Sequence, residues 1–285
     1  IEGNYTYITD NGWHHNIKGG SSQVEEISAG NSQPDLDGAK NLSLNYNTQR
    51  FLSDNLKFKG TGYLRKTETG YDKSSDELAS GTNIMYALQS SLENKSAKRH
   101  DSFTSHIHVY DRVYDEAEKN KYYSQSYTLK AERKVNLSDK ISYGFGSDYN
   151  YNKGDFQVYG TYGNSAKGHA DNLGVFSNVG YKFNDTTILS LHTRGDSHKY
   201  SEENITYRLN ATKLIDKITL SLTEATGVRH PDLYVLHGGN PGSSFYDGAF
   251  KAMLTTKPEK SLTRELSVKY DLSDKISFGT TAYKG

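Results

Sequence analysis

A five-residue pattern recurs along this chain and constrains its fold more than any other feature. Leu52-Ser53-Asp54-Asn55-Leu56 returns as Leu137-Ser138-Asp139-Lys140-Ile141 and as Leu272-Ser273-Asp274-Lys275-Ile276. Leu214-Ile215-Asp216-Lys217-Ile218 and Phe183-Asn184-Asp185-Thr186-Thr187-Ile188 are looser copies. Asp and Asn hydrogen-bond their own backbone and tolerate turn conformations, so a short polar core between apolar residues closes a tight hairpin. Solenoids and propellers repeat at a fixed period, whereas these copies are irregularly spaced. The pattern predicts successive antiparallel hairpins with uniform turns at one end and variable loops at the other.

The flanking segments alternate with a period of two. Leu173, Val175, Val179, Tyr181 and Phe183 oppose Gly174, Asn178, Gly180 and Lys182. Tyr127, Leu129, Ala131 and Val135 oppose Ser126, Thr128, Lys130 and Glu132, and Ile218, Leu220 and Leu222 oppose Thr219, Ser221 and Thr223. Each segment reaches the roughly 9–11 residues a tilted strand needs to cross a bilayer. One apolar and one polar face is what a barrel between lipid and polar contents requires. A soluble sandwich also alternates, but its strands are shorter. Tyr143, Phe145, Tyr149, Tyr151, Tyr181 and Phe183 gather toward strand ends, as in an interfacial aromatic girdle.

Composition excludes several classes. With 23 Tyr and 12% aromatic residues the chain is not disordered, despite a mean hydropathy of −0.80. Charge is balanced at 34 basic against 34 acidic residues, which argues against nucleic acid as a partner. There is no Cys, so no disulfide or thiolate chemistry. No apolar run approaches the ~20 residues of a membrane helix, which does not bear on a barrel. Nucleophile triads and nucleotide-binding loops are missing, so the expectation is a non-enzyme without a cofactor. His106 and His108 share one strand face and with Asp111 could suggest a metal, although lumen-facing polar residues explain them as well. Asp35 and Asp37 resemble the start of a calcium loop, but the remaining oxygens are out of register. The cluster Lys95, Lys98, Arg99 and His100 reads as a solvated hairpin end.

Assigning the tight turns to one side places the other connections at about Glu68–Leu78, Tyr114–Lys121, Asn152–Ala170, Tyr200–Asn204 and Arg229–Lys260. The count is thirteen or fourteen strands. Aromatics in or beside these outer loops are the ligand-binding candidates, because they combine contact area with polar handles. They are Tyr71, Tyr114, Tyr122, Tyr159, Tyr162, Tyr234, Phe245, Tyr246 and Phe250, together with His230 and His237.

Five segments resemble one known family. Ala225-Thr226-Gly227-Val228-Arg229-His230-Pro231-Asp232-Leu233-Tyr234 is similar to the "ATGFRAPSLYEL" signature of TonB-dependent receptors. Lys257-Pro258-Glu259-Lys260-Ser261 resembles "LKPEKS", and Arg264–Tyr270 resembles "YELGLKY". Asp37–Asn45 resembles "DGYRNxSLN", and Asp171–Phe176 resembles "DNTGVF". Val228 stands where an aromatic is usual, and His230-Pro231-Asp232 replaces Ala-Pro-Ser. The resemblance makes Gly227, Arg229, Pro231, Leu233, Tyr234, Lys257, Pro258 and Glu259 structural motif residues. It implies an all-β antiparallel transmembrane barrel of 22 strands in the bacterial outer membrane, plugged by a globular domain. Residues 1–285 would then be a partial barrel domain, truncated at both ends and without the plug. The implied activity is energised uptake of a scarce nutrient chelate such as a ferric siderophore or cobalamin. The TonB-ExbB-ExbD complex would drive it through the missing plug, and lipid would surround the wall. A passive porin-like channel is the alternative within transport, and a surface β adhesin lies outside it.

Overall fold

A computed structural model describes residues 1–24, 38–74, 77–115, 119–159, 165–237 and 257–285. Among the described residues fourteen strands follow one another: β1 (Glu2–Ile8), β2 (His14–Val24), β3 (Gly38–Phe51), β4 (Leu56–Ser74), β5 (Glu77–Lys95), β6 (Arg99–Asp115) and β7 (Lys119–Asn136), then β8 (Ile141–Gln157), β9 (Ala166–Asn184), β10 (Thr187–His198), β11 (Asn204–Ile215), β12 (Ile218–Arg229), β13 (Glu259–Ser273) and β14 (Ile276–Lys284). They form a single sheet in which every strand pairs antiparallel with its sequence neighbours. One short helix, α1 (Leu233–His237), follows β12.

The recurring turns share one hydrogen-bond scheme. Leu52 N–H donates to the Leu56 carbonyl at 2.7 Å, and Leu137 N–H to the Ile141 carbonyl at 2.9 Å. Serine rather than aspartate supplies the side-chain acceptor: Ser53 Oγ receives the Leu56 N–H at 3.3 Å and Ser138 Oγ the Ile141 N–H at 3.1 Å. In the looser copy Asn184 Oδ1 does this for Thr186 N–H at 3.0 Å. The Ile215–Ile218 turn is tighter and puts Asp216 at φ 51°. Left-handed backbone costs an ordinary L-residue about 1–2 kcal/mol, less for Asp. Asp216→Gly is therefore expected to leave stability unchanged or raise it, and Asp216→Val to lower it by about 1 kcal/mol in urea titrations.

Register carries the alternation across the whole sheet. Val179, Leu191 and Leu209 lie opposite one another on β9, β10 and β11, as do Leu222 and Leu266 on β12 and β13. The same parity assembles an apolar face from Leu44, Leu64, Leu88, Leu129, Phe145 and Val175, and these side chains stay exposed. Among the described residues the only buried hydrophobic side chains are Ala79, Val109, Ala166, Ala170 and Leu236. A sheet with so small a core leaves its apolar face for another medium to cover. At the turn end this face carries rings: Tyr7 stacks on His15 at 4.5 Å, His15 on Tyr46 at 5.9 Å, and Trp13 meets Phe58 edge-on at 5.7 Å. Tyr143–Phe145 and Tyr181–Phe183 extend the belt, at 5.6 and 6.3 Å.

Three expectations about loops are corrected. Glu68–Leu78 is mostly paired strand, because β4 runs to Ser74 against β5, with Tyr71 opposite Ala79. Tyr114 and Lys121 likewise sit inside β6 and β7, and the connection between these strands is short. Asn152–Ala170 shortens at both ends, since β8 continues to Gln157 and β9 starts at Ala166. Past the apolar rows both faces are polar, so alternation fades while backbone pairing continues.

Candidate functional site

The polar face near the loop end gathers the chemistry. On β6, Tyr110, Arg112 and Tyr114 share this face because they are two residues apart. The Arg112 guanidinium lies 5.9 Å from the Tyr110 ring centre and 4.9 Å from that of Tyr114. Tyr114 meets Tyr122 of β7 edge-on at 5.9 Å, and Tyr122 approaches Phe156 of β8 at 6.3 Å. The Phe156 ring lies over Gly154, where any side chain would collide with it. One cation is thus set among a row of rings that crosses three strands.

Deeper on the same face a charged network spans β7 to β10. Arg194 reaches from β10 across β9 to β8 and grips Asp148 with both terminal nitrogens, at 2.6 and 3.0 Å. Its Nε binds Asp196 at 2.8 Å. Asn172 donates to Asp196 at 2.7 Å, Asn150 to Asp148 at 2.8 Å, and Thr128 to Asn150 at 2.8 Å. Gly174 of β9 makes the crossing possible, since a Cβ there would overlap the Arg194 guanidinium. Paired, bidentate and hydrogen-bonded charges of this kind hold strands in register more than they bind ligands.

Between these two groups the residues after β12 fold back onto the wall. Pro231 has no N–H to satisfy, and the Asp232 carbonyl accepts the Leu236 N–H at 3.0 Å, closing the single turn of α1. Leu233 and Leu236, three residues apart, face one way. The helix packs on β8 and β9, whose residues there are small. Leu233 approaches Gly154, His237 lies over Gly168, and Ala166 and Ala170 are buried. Leu236 is 0% exposed. His230 stacks face to face on His198 at 4.4 Å and 6°, and His237 meets Tyr200 edge-on at 5.2 Å. Burial holds the His230 imidazole below its ordinary pKa, with Arg194 adding to the effect and Asp196 opposing it. A cavity of about 620 Å³ remains, lined by His108, Asn150, Phe156, Asn172, His198 and His230 among others.

The structure unites some sequence candidates and separates others. His230 lines this cavity, Tyr114 and Tyr122 belong to the ring row that reaches it through Phe156, and His237 packs on Tyr200 beside it, although Tyr114 belongs to a strand and not to a loop. Tyr159, just past β8, is exposed and anchored by its N–H to Asn120 Oδ1 at 2.8 Å. Tyr71 lies in β4, and Tyr234 lies in α1. Tyr162, Phe245, Tyr246, Phe250, Asp35 and Asp37 lie outside the described residues. His106 and His108 share a face, 6.3 Å apart, but Asp111 is on the opposite one, so the three cannot hold a single ion. Among the described residues no three His, Asp or Glu side chains are grouped to bind a metal. Of the motif residues, Arg229 pairs with Glu259 at 3.7 Å, and Lys257 and Pro258 lead into β13. Sequence reasoning missed Tyr110, Arg112, Phe156, His198 and Arg194. The period-two run Tyr110-x-Arg112-x-Tyr114 was the available signal for the first two.

Comparison with known proteins agrees with this architecture. No curated protein matches the chain. The fold is shared with a mutant form of the ferric enterobactin receptor of Pseudomonas aeruginosa, at 13% identity and TM-score 0.79, covering 98% of this chain and 49% of that one. A siderophore receptor of the same organism gives 14% identity and TM-score 0.77, covering 98% and 50%. The ferric yersiniabactin uptake receptor of Yersinia pestis gives 11% and 0.74, covering 99% and 51%. The chain thus spans about half the length of these solved structures. The family model described as "TonB dependent receptor-like, beta-barrel" matches residues 2–284, and the chain belongs to that family.

Proposed function

We propose that this chain is part of the wall of an outer-membrane receptor that captures a nutrient chelate, of the ferric siderophore class, for uptake driven by TonB-ExbB-ExbD. The observation that carries it is the pairing of a nearly coreless sheet, apolar on one face, with a cation-and-ring mouth on the other. Lipid covers the apolar face. The outward apolar run of β4 ends at Leu64 and gives way to Lys66 and Glu68, and that of β12 ends at Leu222 and gives way to Glu224. Strand beyond those levels rises clear of the hydrocarbon and carries the mouth into the medium. A cavity of this size falls within the range of small-ligand sites, roughly 300–1,000 Å³. Arg112 supplies attraction for an anionic chelate, and Tyr110, Tyr114, Tyr122 and Phe156 supply flat contact area. The rest of the barrel and the plug would complete the site.

Titration of the full-length receptor in detergent with ferric enterobactin, ferric yersiniabactin and cobalamin tests this. Saturable binding of a ferric chelate is expected. Arg112→Ala and Tyr122→Ala should each weaken it about tenfold, equivalent to ~1.4 kcal/mol. Absence of binding by any of these ligands, or full affinity in both variants, would overturn the assignment of the mouth. A porin-like channel would instead pass small solutes without saturation.

A further inference from the structure

The segment Arg229–His237 is a strap seated on the wall by one turn of helix on a pad of Gly and Ala, with Leu236 fully buried beneath it. Two imidazoles of the strap, His230 and His237, also contact the wall, at His198 and Tyr200, and the hydrogen bonding of His198 assigns its protonation state. Tyr200 N–H donates to His198 Nδ1 at 3.2 Å, so that nitrogen must be bare and the ring neutral. His230 lies parallel on it at 4.4 Å, a geometry that two imidazolium ions would oppose. The buried Nδ1 of His230 and Nε2 of His237 have no partner among the described residues, so neither has an acceptor for an added proton.

We propose that the strap is a proton-operated clasp, seated at neutral pH and released from the wall when the His198–His230 stack takes up protons. The charged groups around the stack do not cancel this. Asp196 on β10 faces both rings but is committed to Arg194 and Asn172, and Arg194 opposes a further positive charge. Asp171 on β9 attracts a proton to His198 and not to His230. Asp232 on the strap, Lys153 on β8 and His108 on β6 line the same cavity, and Lys199 follows His198 directly. Burial disfavours the charged form of His230 while the strap is seated. The released state then binds more protons, and seating weakens as pH falls below the ordinary histidine value of about 6.5. Each imidazole contributes up to about tenfold per pH unit in that window. The device is independent of which ligand the mouth takes, so it stands or falls apart from the uptake assignment.

Hydrogen-exchange mass spectrometry on the full-length receptor in detergent, corrected for intrinsic rates, reads the seating through the Leu236 amide. Between pH 7.5 and 5.5 protection of residues 230–237 should fall severalfold, by up to about tenfold for each imidazole, while that of β8 and β9 stays constant. His230→Phe keeps a ring in the stack but cannot titrate, and should respond to pH less than the parent, while the double variant His198→Phe/His230→Phe should be protected equally at both values. His230→Gln should be less protected and respond to pH as weakly as His230→Phe. Protection unchanged by pH in the parent protein would overturn the clasp. So would an undiminished pH response in both single variants, a response surviving in the double variant, or one abolished only by His237→Phe.

Discussion

Gly174→Val is expected to destabilise the barrel by about 3 kcal/mol, the scale of breaking a buried ion pair by displacing one partner. Strand propensity alone predicts the opposite sign, because valine suits a strand and glycine does not. The difference is Arg194, whose guanidinium crosses directly above Gly174 to reach Asp148. A valine there pushes the arginine aside and leaves Asp148, which is largely buried, without its bidentate partner. The measurement is the urea midpoint of the full-length receptor folded in lipid vesicles, compared in a double-mutant cycle with Arg194→Ala. Gly174→Val should add little on top of Arg194→Ala, since the displaced group is then already gone. A loss below about 1 kcal/mol, or full additivity, would show that the network does not hold the strands.

The second large effect separates the two faces of one strand. Leu191 and His192 are adjacent on β10 and point to opposite sides of the sheet. Leu191 is 42% exposed on the apolar face, in register with Val179 and Leu209. Leu191→Arg is expected to cost about 2–4 kcal/mol if lipid covers that face near mid-depth. His192→Arg, on the polar face, should change stability by less than about 0.5 kcal/mol. Both follow from folding titrations in vesicles. Equal small effects would mean that water, not lipid, meets Leu191, and the membrane assignment would fail with them.

Legibility in the sequence followed the range of the interaction responsible. The turns at Ser53, Ser138 and Ser273 were readable because each is closed by groups within five residues, although the acceptor is serine and not the expected aspartate. The faces of β7, β9 and β12 were readable because period two is a property of backbone geometry alone. The upper parts of β4, β5 and β6 were not. Beyond Leu64 and Val109 the outward row turns mostly polar, with Lys66, Glu68 and Asp111, so the apolar-against-polar alternation stops there, and pairing with the neighbouring strand is what shows that Tyr71 and Tyr114 are strand residues. Asp111 was grouped with His106 and His108, against the parity that separates them.

What the residues decided unaided was the class of structure: hairpins in series, one face apolar and one polar, and membership suggested by five short motifs. Strand parity and turn closure are local, so they survive without knowledge of the rest of the molecule. What only the tertiary structure decided was which polar residues meet. Arg194 finds Asp148 46 residues away across a glycine, and His230 finds His198 by folding back from the end of β12. Tyr122 comes between Tyr114 and Phe156 through the registers of two strand pairs. These partners are neighbours only after the sheet has aligned its strands, because side-chain contact across strands depends on register and on what lies between, and neither is written in the order of residues along the chain.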